Sequence, residues 1–194
     1  MSDLQTTYSA FVAKLFNRTG DLSKDFSHAV LGLVTETHEL RNAIDEINAL
    51  EEAGDLSFFC RALILVVRDF LGEGYDAQHA DELAGKVLEE SLQRAEHDYP
   101  TLVTDYLVEL MDAAKRWVGY GKEPTAVQLY ELQAKGRVVH ALVLAHNLGQ
   151  DVTREQVLKA NMAKLLKRYP GGEFDAFRAV VRDTEAEREA LASV

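Results

Sequence analysis

The chain has 194 residues and a formal net charge of −11, with 47% hydrophobic and 27% charged residues. This length suits one domain with a core of its own, or two small halves packed together. The negative charge argues against duplex nucleic acid or an anionic membrane as a partner, because both are polyanions. The single cysteine, Cys60, excludes an intrachain disulfide. The sequence carries no signal-peptide pattern and no apolar run long enough to span a bilayer, so we expect a cytoplasmic protein.

Helical periodicity runs through the whole chain, and no segment alternates convincingly in the manner of a strand. Only three prolines are present, and residues that favour helices are frequent. We therefore expect an all-α bundle of about seven to eight helices with a central apolar hairpin. The last helix is expected to be amphipathic through Phe177, Val180 and Val181. The predicted helices cover residues 4–16, 26–44, 48–70, 76–97, 101–117, 124–147, 153–169 and 174–191.

The third predicted helix is apolar nearly all round between Leu56 and Val67, which is typical of a helix at the centre of a fold. A weak internal repeat pairs residues 38–43 with 108–113, and residues 50–63 with 129–142. We expect a single domain, 1–194. The repeat leaves open that the domain consists of two degenerate halves, residues 1–98 and 99–194, of which only the first has a full set of acids.

Two pairs of acidic residues share a spacing of three. Glu36 and Glu39 lie on the second predicted helix, and Glu52 and Asp55 lie near the start of the third. Residues three apart share a helix face, with Cβ atoms about 5–6 Å apart, so two carboxylates there repel each other unless a cation lies between them. The short connection should make the two helices antiparallel neighbours. The four acids therefore predict an oxygen-ligand site for Mg²⁺, for which Mn²⁺ can substitute.

Either acidic pair alone is a weak signal, because acids spaced by three are common on solvated helix faces. This set differs in its place at the edge of the most apolar helix. It also has Gly54 inside that helix. A glycine in a helix interior is unfavourable by roughly 1 kcal/mol relative to alanine, and it usually marks the close approach of another backbone or of a ligand.

Basic and polar residues form a second pattern near the end of the chain. Asn161, Lys164 and Arg168 have an i, i+3, i+7 spacing and line one helical stripe, which suits a phosphate clamp in an acidic protein. Lys115 and Tyr120, near the end of the fifth predicted helix, form a basic and aromatic patch. This patch either contacts substrate or only complements the helix dipole.

At these residues the sequence resembles the all-α nucleoside triphosphate pyrophosphohydrolases, the MazG-like and dimeric dUTPase group. The similar segments are residues 28–40, 48–56, 161–170 and the tail 182–188. Residues 120–122 also resemble a family segment, which in the family normally lies between the two acidic motifs. The resemblance implies an enzyme that hydrolyses nucleoside triphosphates, in particular dNTPs, to the monophosphate and pyrophosphate. It also implies four Mg²⁺ ligands, which are Glu36, Glu39, Glu52 and Asp55.

Further roles follow from the same resemblance. Glu36 and Glu51 are the candidates for orienting the attacking water. Base selection falls to Phe26, Trp117 or Tyr120, without a ranking. Small members of the family bury their apolar hairpins in a dimer, so we expect a homodimer or a higher homo-oligomer. The candidate substrate contacts are Asn161, Lys164, Arg168, Tyr169, Lys115 and Tyr120.

Three alternatives stay open. The first is a base-selective pyrophosphatase of the dUTPase type with the same fold. The second is an HD-type phosphohydrolase that uses His79 and the pair His97-Asp98. The third is a non-catalytic protein, either a helical interaction protein whose acids are solvated surface groups or a family member whose activity has decayed. Metal dependence separates the enzymes from the third class, because a working site gains thermal stability from Mg²⁺ or Mn²⁺ by mass action.

Overall fold

The computed structural model describes residues 3–193 as an all-helical chain. Within these residues there are eight α-helices and no strands, which confirms the predicted all-α bundle of seven to eight helices. A short 3₁₀ turn, Gly72–Gly74, follows α3. The helices are α1 (Asp3–Leu15), α2 (Leu22–Arg41), α3 (Glu46–Leu71), α4 (Ala77–Tyr120), α5 (Ala126–Asn147), α6 (Arg154–Arg168), α7 (Ala176–Val180) and α8 (Thr184–Ala192).

Two helical hairpins form the centre of the molecule. Helix α2 packs along α3, α4 packs along α5, and the two pairs pack against each other through α2 with α4 and α3 with α5. One continuous core runs from α1 to α6 and includes Leu56, Leu63 and Val66 of α3, all of which are fully buried. The apolar helix is therefore central, as its sequence predicts, and its apolar face is covered within one chain.

Helix α4 is bent at Asp98, the position where the sequence predicts a break between two helices. Asp98 has non-helical backbone angles, φ −152° and ψ 64°. Its side chain accepts a hydrogen bond from the Thr101 backbone N–H at 3.2 Å, as an N-cap residue does. Pro100 has no N–H to donate to the preceding turn, so the chain bends here rather than continuing straight.

Helix α2 begins at Leu22, four residues before the predicted start at Phe26. Asp21 caps it, and its carboxylate accepts from the backbone N–H groups of Ser23 at 3.0 Å and Lys24 at 3.4 Å. The sequence prediction took Asp21 as part of the preceding break. An N-cap aspartate belongs both to the break and to the helix, because its backbone is still extended while its side chain accepts hydrogen bonds from the first helical N–H groups.

The prediction of a single amphipathic helix over residues 174–191 is wrong. The segment forms two short helices, α7 and α8, and Asp183 caps the second by accepting from Ala186 N at 3.1 Å. Phe177, Val180 and Val181 are exposed and make no apolar face against the bundle. The residues that α8 buries are Glu187, Ala190 and Leu191.

The described residues contain no helix that could span a membrane. None of the helices between residues 3 and 193 combines the length and the apolar character that crossing a bilayer needs.

Candidate metal centre

Three carboxylates converge between α2 and α3. Glu36 and Glu39 come from the later turns of α2, and Glu52 comes from the second turn of α3. One oxygen of each side chain lies within 4.8 Å of the others. The short connection between the helices brings the two motifs together, so three of the four predicted metal ligands form one group.

The electrostatics of this group suit a divalent cation. Burial, followed by the charges of Asp55, Glu39 and Glu52, raises the pKa of Glu36 to about 8. Burial and the neighbouring carboxylates likewise raise the pKa of Glu52 to about 7. Carboxylates that repel one another in a half-buried place are stabilised when a positive ion lies between them. An all-oxygen donor set of this kind fits Mg²⁺ or Mn²⁺.

Asp55 lies beside the three glutamates but faces α6. Its Oδ1 accepts from the Asn161 amide at 2.8 Å, and its Oδ2 accepts from the Lys164 ammonium. Lys164 is fully buried and also donates to Glu51 Oε1 at 3.3 Å. Both Asp55 oxygens thus have partners, so a metal ion would share this carboxylate with Lys164 and Asn161.

Gly54 allows α6 to come this close. A Cβ atom at position 54 would lie 2.8 Å from Asn161 Cβ. Asn161 is held in place from the other side by the Tyr8 hydroxyl, which donates to Asn161 Oδ1 at 2.8 Å. Gly54 does mark a close approach, but the approaching group is a side chain of the predicted C-terminal stripe and not the backbone or ligand that the sequence suggested.

Replacing Gly54 by alanine is expected to lower the free energy of unfolding by about 1–3 kcal/mol, because Asn161 must move away. The gain in helix propensity, about 1 kcal/mol, offsets only part of this. Gly85 is the matched control, since it also lies inside a helix but has no atom within 4 Å of its virtual Cβ. Gly85→Ala should stabilise the protein. Urea unfolding of both variants checks the pair, and equal shifts for the two would contradict the packing argument.

Two further residues of the site were not predicted. Asn48 Nδ2 donates to Glu52 Oε1 at 2.7 Å, one turn before it on the same helix. That i, i+4 spacing could have been noticed in the sequence. Arg182 Nη2 lies 3.6 Å from Glu51 Oε1. Nothing in the sequence pattern indicates this contact, because it depends on how the tail folds back over α6.

Like Asn161 and Lys164, two further predicted substrate contacts have partners inside the protein. Arg168 makes a double hydrogen bond to Glu187, with distances of 3.0 Å and 2.7 Å. Burial by itself would raise the pKa of Glu187, but the hydrogen bonds from Arg168 and Arg182 lower it to about 2. Tyr169 is buried in a small apolar cluster with Leu15. The structure thus places Arg168 in a salt bridge and Tyr169 in a packing contact.

The remaining predicted contacts lie at the opposite end of the bundle. The Phe26 and Trp117 rings are 5.5 Å apart. Phe26 precedes Glu36 by about 15 Å along the α2 axis, so this aromatic pair is far from the carboxylates. Tyr120 is exposed three residues beyond Trp117, and Lys115 pairs with Asp112 at 2.7 Å. The structure therefore does not bring Lys115, Tyr120 or the aromatic pair to the acidic group.

The HD-type alternative has no common site in the structure. His79 packs against the Tyr130 ring, with centroids 4.9 Å apart, at the start of α4. His97 lies roughly 27 Å further along the same helix axis and is exposed. The two histidines cannot bind one metal ion across that distance.

In the absence of divalent metal, the thermal stability of the protein is expected to fall as the pH rises from about 5 to 8. Folding raises the pKa of Glu36 from 4.5 to about 8. The stabilising proton is therefore fully bound below the unfolded pKa and is lost as the pH passes through the folded pKa. Calorimetric melting temperatures in EDTA measure this slope. Glu36→Gln should flatten it, and an unchanged slope in that variant would contradict the assignment.

Comparison with known proteins gives no relative: no family model, no curated protein and no solved structure matches this chain.

Proposed function

We propose that the protein is a divalent-metal-dependent nucleoside triphosphate pyrophosphohydrolase of the MazG-like type. It converts nucleoside triphosphates, in particular dNTPs, to the monophosphate and pyrophosphate. The observation that carries the proposal is the group of three carboxylates within 4.8 Å, next to the fully buried Lys164. Three carboxylate oxygens gathered in this way can hold a divalent ion, and the neighbouring ammonium group adds the positive charge that a phosphate site needs.

Glu36, Glu39 and Glu52 would hold the metal ion, with Asp55 at the edge of the set. A bound Mg²⁺ or Mn²⁺ would supply Lewis acidity toward the phosphate oxygens and neutralise the charge of the leaving pyrophosphate. The chain's own contribution is positioning. Asn48 orients Glu52 through its hydrogen bond, so the third carboxylate is fixed before any ion arrives.

Lys164 and Asn161 are the side chains of α6 that would contact the triphosphate. Asp55 fixes both of them, one through each oxygen. Glu36 and Glu51 remain the candidates for orienting water. Glu36 lies inside the carboxylate group, whereas Glu51 lies next to Lys164 and Arg182. On this ground we assign the orientation of the attacking water to Glu36. We assign the positioning of Lys164 to Glu51.

The second hairpin supports an internal duplication in which one half has lost its metal site. Glu109 and Glu131 occupy the positions that the repeat pairs with Glu39 and Glu52. Ala134 takes the position of Asp55, and the Lys135 ammonium pairs with Glu109. A lysine among the remaining acids supplies the positive charge internally, so this half needs no metal ion.

The test is release of pyrophosphate and monophosphate from a panel of NTPs and dNTPs, measured with Mg²⁺, with Mn²⁺ and with EDTA. We expect release that requires the metal, and the panel then identifies the base and the sugar. It also separates a general enzyme from a dUTPase-type enzyme. Folded protein that turns over no nucleotide in the presence of metal would overturn the proposal in favour of a helical interaction protein.

We also propose a homodimer, but for a different reason from the sequence. The apolar face of α3, which suggested a dimer, is buried within one chain. The exposed apolar groups are instead on the α7 segment, where Phe177, Val180 and Val181 are 73%, 83% and 58% exposed. Sedimentation equilibrium of the wild type and of Phe177→Ser tests this, and a monomeric wild type would contradict it.

A further inference from the structure

A cluster of three arginines lies close enough to His140 for their positive charges to act on its ring. Arg61 comes from α3, Arg137 from α5, and Arg154 is the first residue of α6. With its amide turned to satisfy both groups, the Gln5 oxygen accepts from Arg61 Nη2 at 2.8 Å and from Arg154 Nη2 at 3.2 Å. Two guanidinium groups therefore converge on a single neutral oxygen.

Carboxylates do little to neutralise this cluster. Among residues 3–193, Arg137 pairs with Asp81 at 2.8 Å, while Arg61 and Arg154 have no salt bridge. Most other arginines of this acidic chain do pair with a carboxylate, for example Arg168 with Glu187. Bringing like charges together without a counter-ion is unfavourable, and this is the usual reason why such a cluster binds an anion.

His140 lies behind the cluster without adding charge to it. Burial, followed by the positive charges of Arg154, Arg61 and Arg137, lowers the pKa of His140 to about 3. The ring is therefore neutral at physiological pH. Its Nε2 lies 2.9 Å from Ser57 Oγ, which donates its own proton to the Ala53 carbonyl. The His140 side chain is thus polar but uncharged, and the guanidinium groups carry the positive charge of the cluster.

The cluster is separate from the candidate metal centre but near it. Arg61 follows Asp55 by roughly 9 Å along the α3 axis. Tyr8 lies between the two, since its hydroxyl donates to Asn161 Oδ1. Burial raises the pKa of Tyr8, the charge of Asp55 raises it further, and the charge of Arg61 lowers it. Arg154 is exposed and Arg61 is half-buried, so a ligand can reach them from solvent.

We propose that Arg61 and Arg154 form a binding site for a phosphate-class oxyanion that needs no metal ion. The planar, forked donors of two guanidinium groups match the oxygens of a phosphate or pyrophosphate group. The N-terminus of the fifteen-residue helix α6, at which Arg154 lies, adds a positive potential. In this site the Gln5 oxygen occupies the place that a ligand oxygen takes on binding.

The test is isothermal titration of inorganic pyrophosphate, and separately of inorganic phosphate, into the full chain in EDTA. We expect saturable binding to the wild type. Arg61→Gln and Arg154→Gln should each raise the Kd at least about tenfold, as the loss of a charge-assisted hydrogen bond predicts. Arg61 is half-buried, so its replacement can disturb folding. If Arg61→Gln does not fold, the Kd of the exposed variant Arg154→Gln alone decides whether the site exists.

Two controls make the result specific. Lys159→Gln removes the same charge from an exposed position on the same helix, where Lys159 pairs with Glu155 at 2.7 Å. Its Kd should stay within about twofold of wild type because exposed charges are screened. Glu52→Gln should bind as the wild type does, because it changes only the metal centre. No binding by the wild type, or equal weakening in the Lys159 and Arg154 variants, would overturn the site.

A third titrant, a nucleoside triphosphate in EDTA, identifies the source of the phosphate group. Tighter binding of the triphosphate than of pyrophosphate assigns the phosphate tail of a nucleotide, and the reverse order assigns a free inorganic anion. Both orders support the oxyanion site. The site does not depend on the proposed hydrolysis, so anion binding without turnover would overturn only the enzyme proposal, and turnover without anion binding only this one.

Discussion

Glu52→Gln is expected to lower the metal-dependent release of pyrophosphate by more than about 100-fold, since even residues that only orient a metal ligand contribute 10–100-fold. The stability of this variant, in contrast to its activity, should not fall. Glutamine keeps an oxygen that can accept from Asn48, and it removes one of the mutually repelling carboxylates whose pKa values are raised. We therefore expect a variant that is at least as stable as the wild type in EDTA but gains no stability from Mn²⁺.

The matched control is Glu131→Gln, which changes the same charge at the equivalent position of the second hairpin. Glu131 is exposed and lies near the Lys135–Glu109 pair. We expect full activity and an unchanged response to Mn²⁺. Equal losses of activity in both variants would mean that the metal site lies outside the first hairpin or is shared between the two hairpins.

Lys164→Met is expected to lower the free energy of unfolding by about 3 kcal/mol. Breaking a buried ion pair by removing one partner costs about 3–5 kcal/mol, and we take the lower end because Asp55 and Glu51 are partly open to solvent. Methionine fills nearly the same volume, so the loss reports the charge rather than a cavity. The carboxylates left behind repel Glu36 and Glu52, so the loss should be smaller at low pH.

Chemical denaturation of three further proteins checks this result. Lys167→Met, at an exposed position of the same helix, should change stability by less than about 0.5 kcal/mol. Asp55→Asn combined with Lys164→Met should recover part of the loss, because no ionised Asp55 is then left without a partner, and Asp55→Asn alone completes the cycle. Additive effects of the two substitutions would mean that the pair is not coupled.

Local signals predicted the starts of α4 and α6 and the bend in α4, although the Asp21 cap of α2 was missed. Thr153 and Gln156 form the capping box that starts α6, and Asp76 caps α4. Pro100 marks the bend at Asp98. The prediction failed for the tail, because the apolar spacing of Phe177, Val180 and Val181 indicated a buried face. Whether such a face finds a partner depends on the surfaces that the rest of the fold leaves uncovered.

For the candidate site, spacing predicted which side chains share a helix face but not what that face contacts. The sequence was sufficient to group Glu36, Glu39 and Glu52, because a short loop leaves two helices little freedom. It also placed Asn161 and Lys164 on one stripe. It could not predict that Arg168, on the same stripe, pairs with Glu187, because that contact depends on the path of the tail.

The sequence by itself determined the helical class and the central hairpin with its acidic pairs. These features are local, since they follow from periodicity, caps and the length of one loop. Only the tertiary structure decided that Lys164 is buried against Asp55, that Lys115 and Tyr120 lie at the far end, and that three arginines converge near His140. Each of these contacts joins helices far apart in the chain, and packing of the whole core, rather than any local preference, fixes which helices meet.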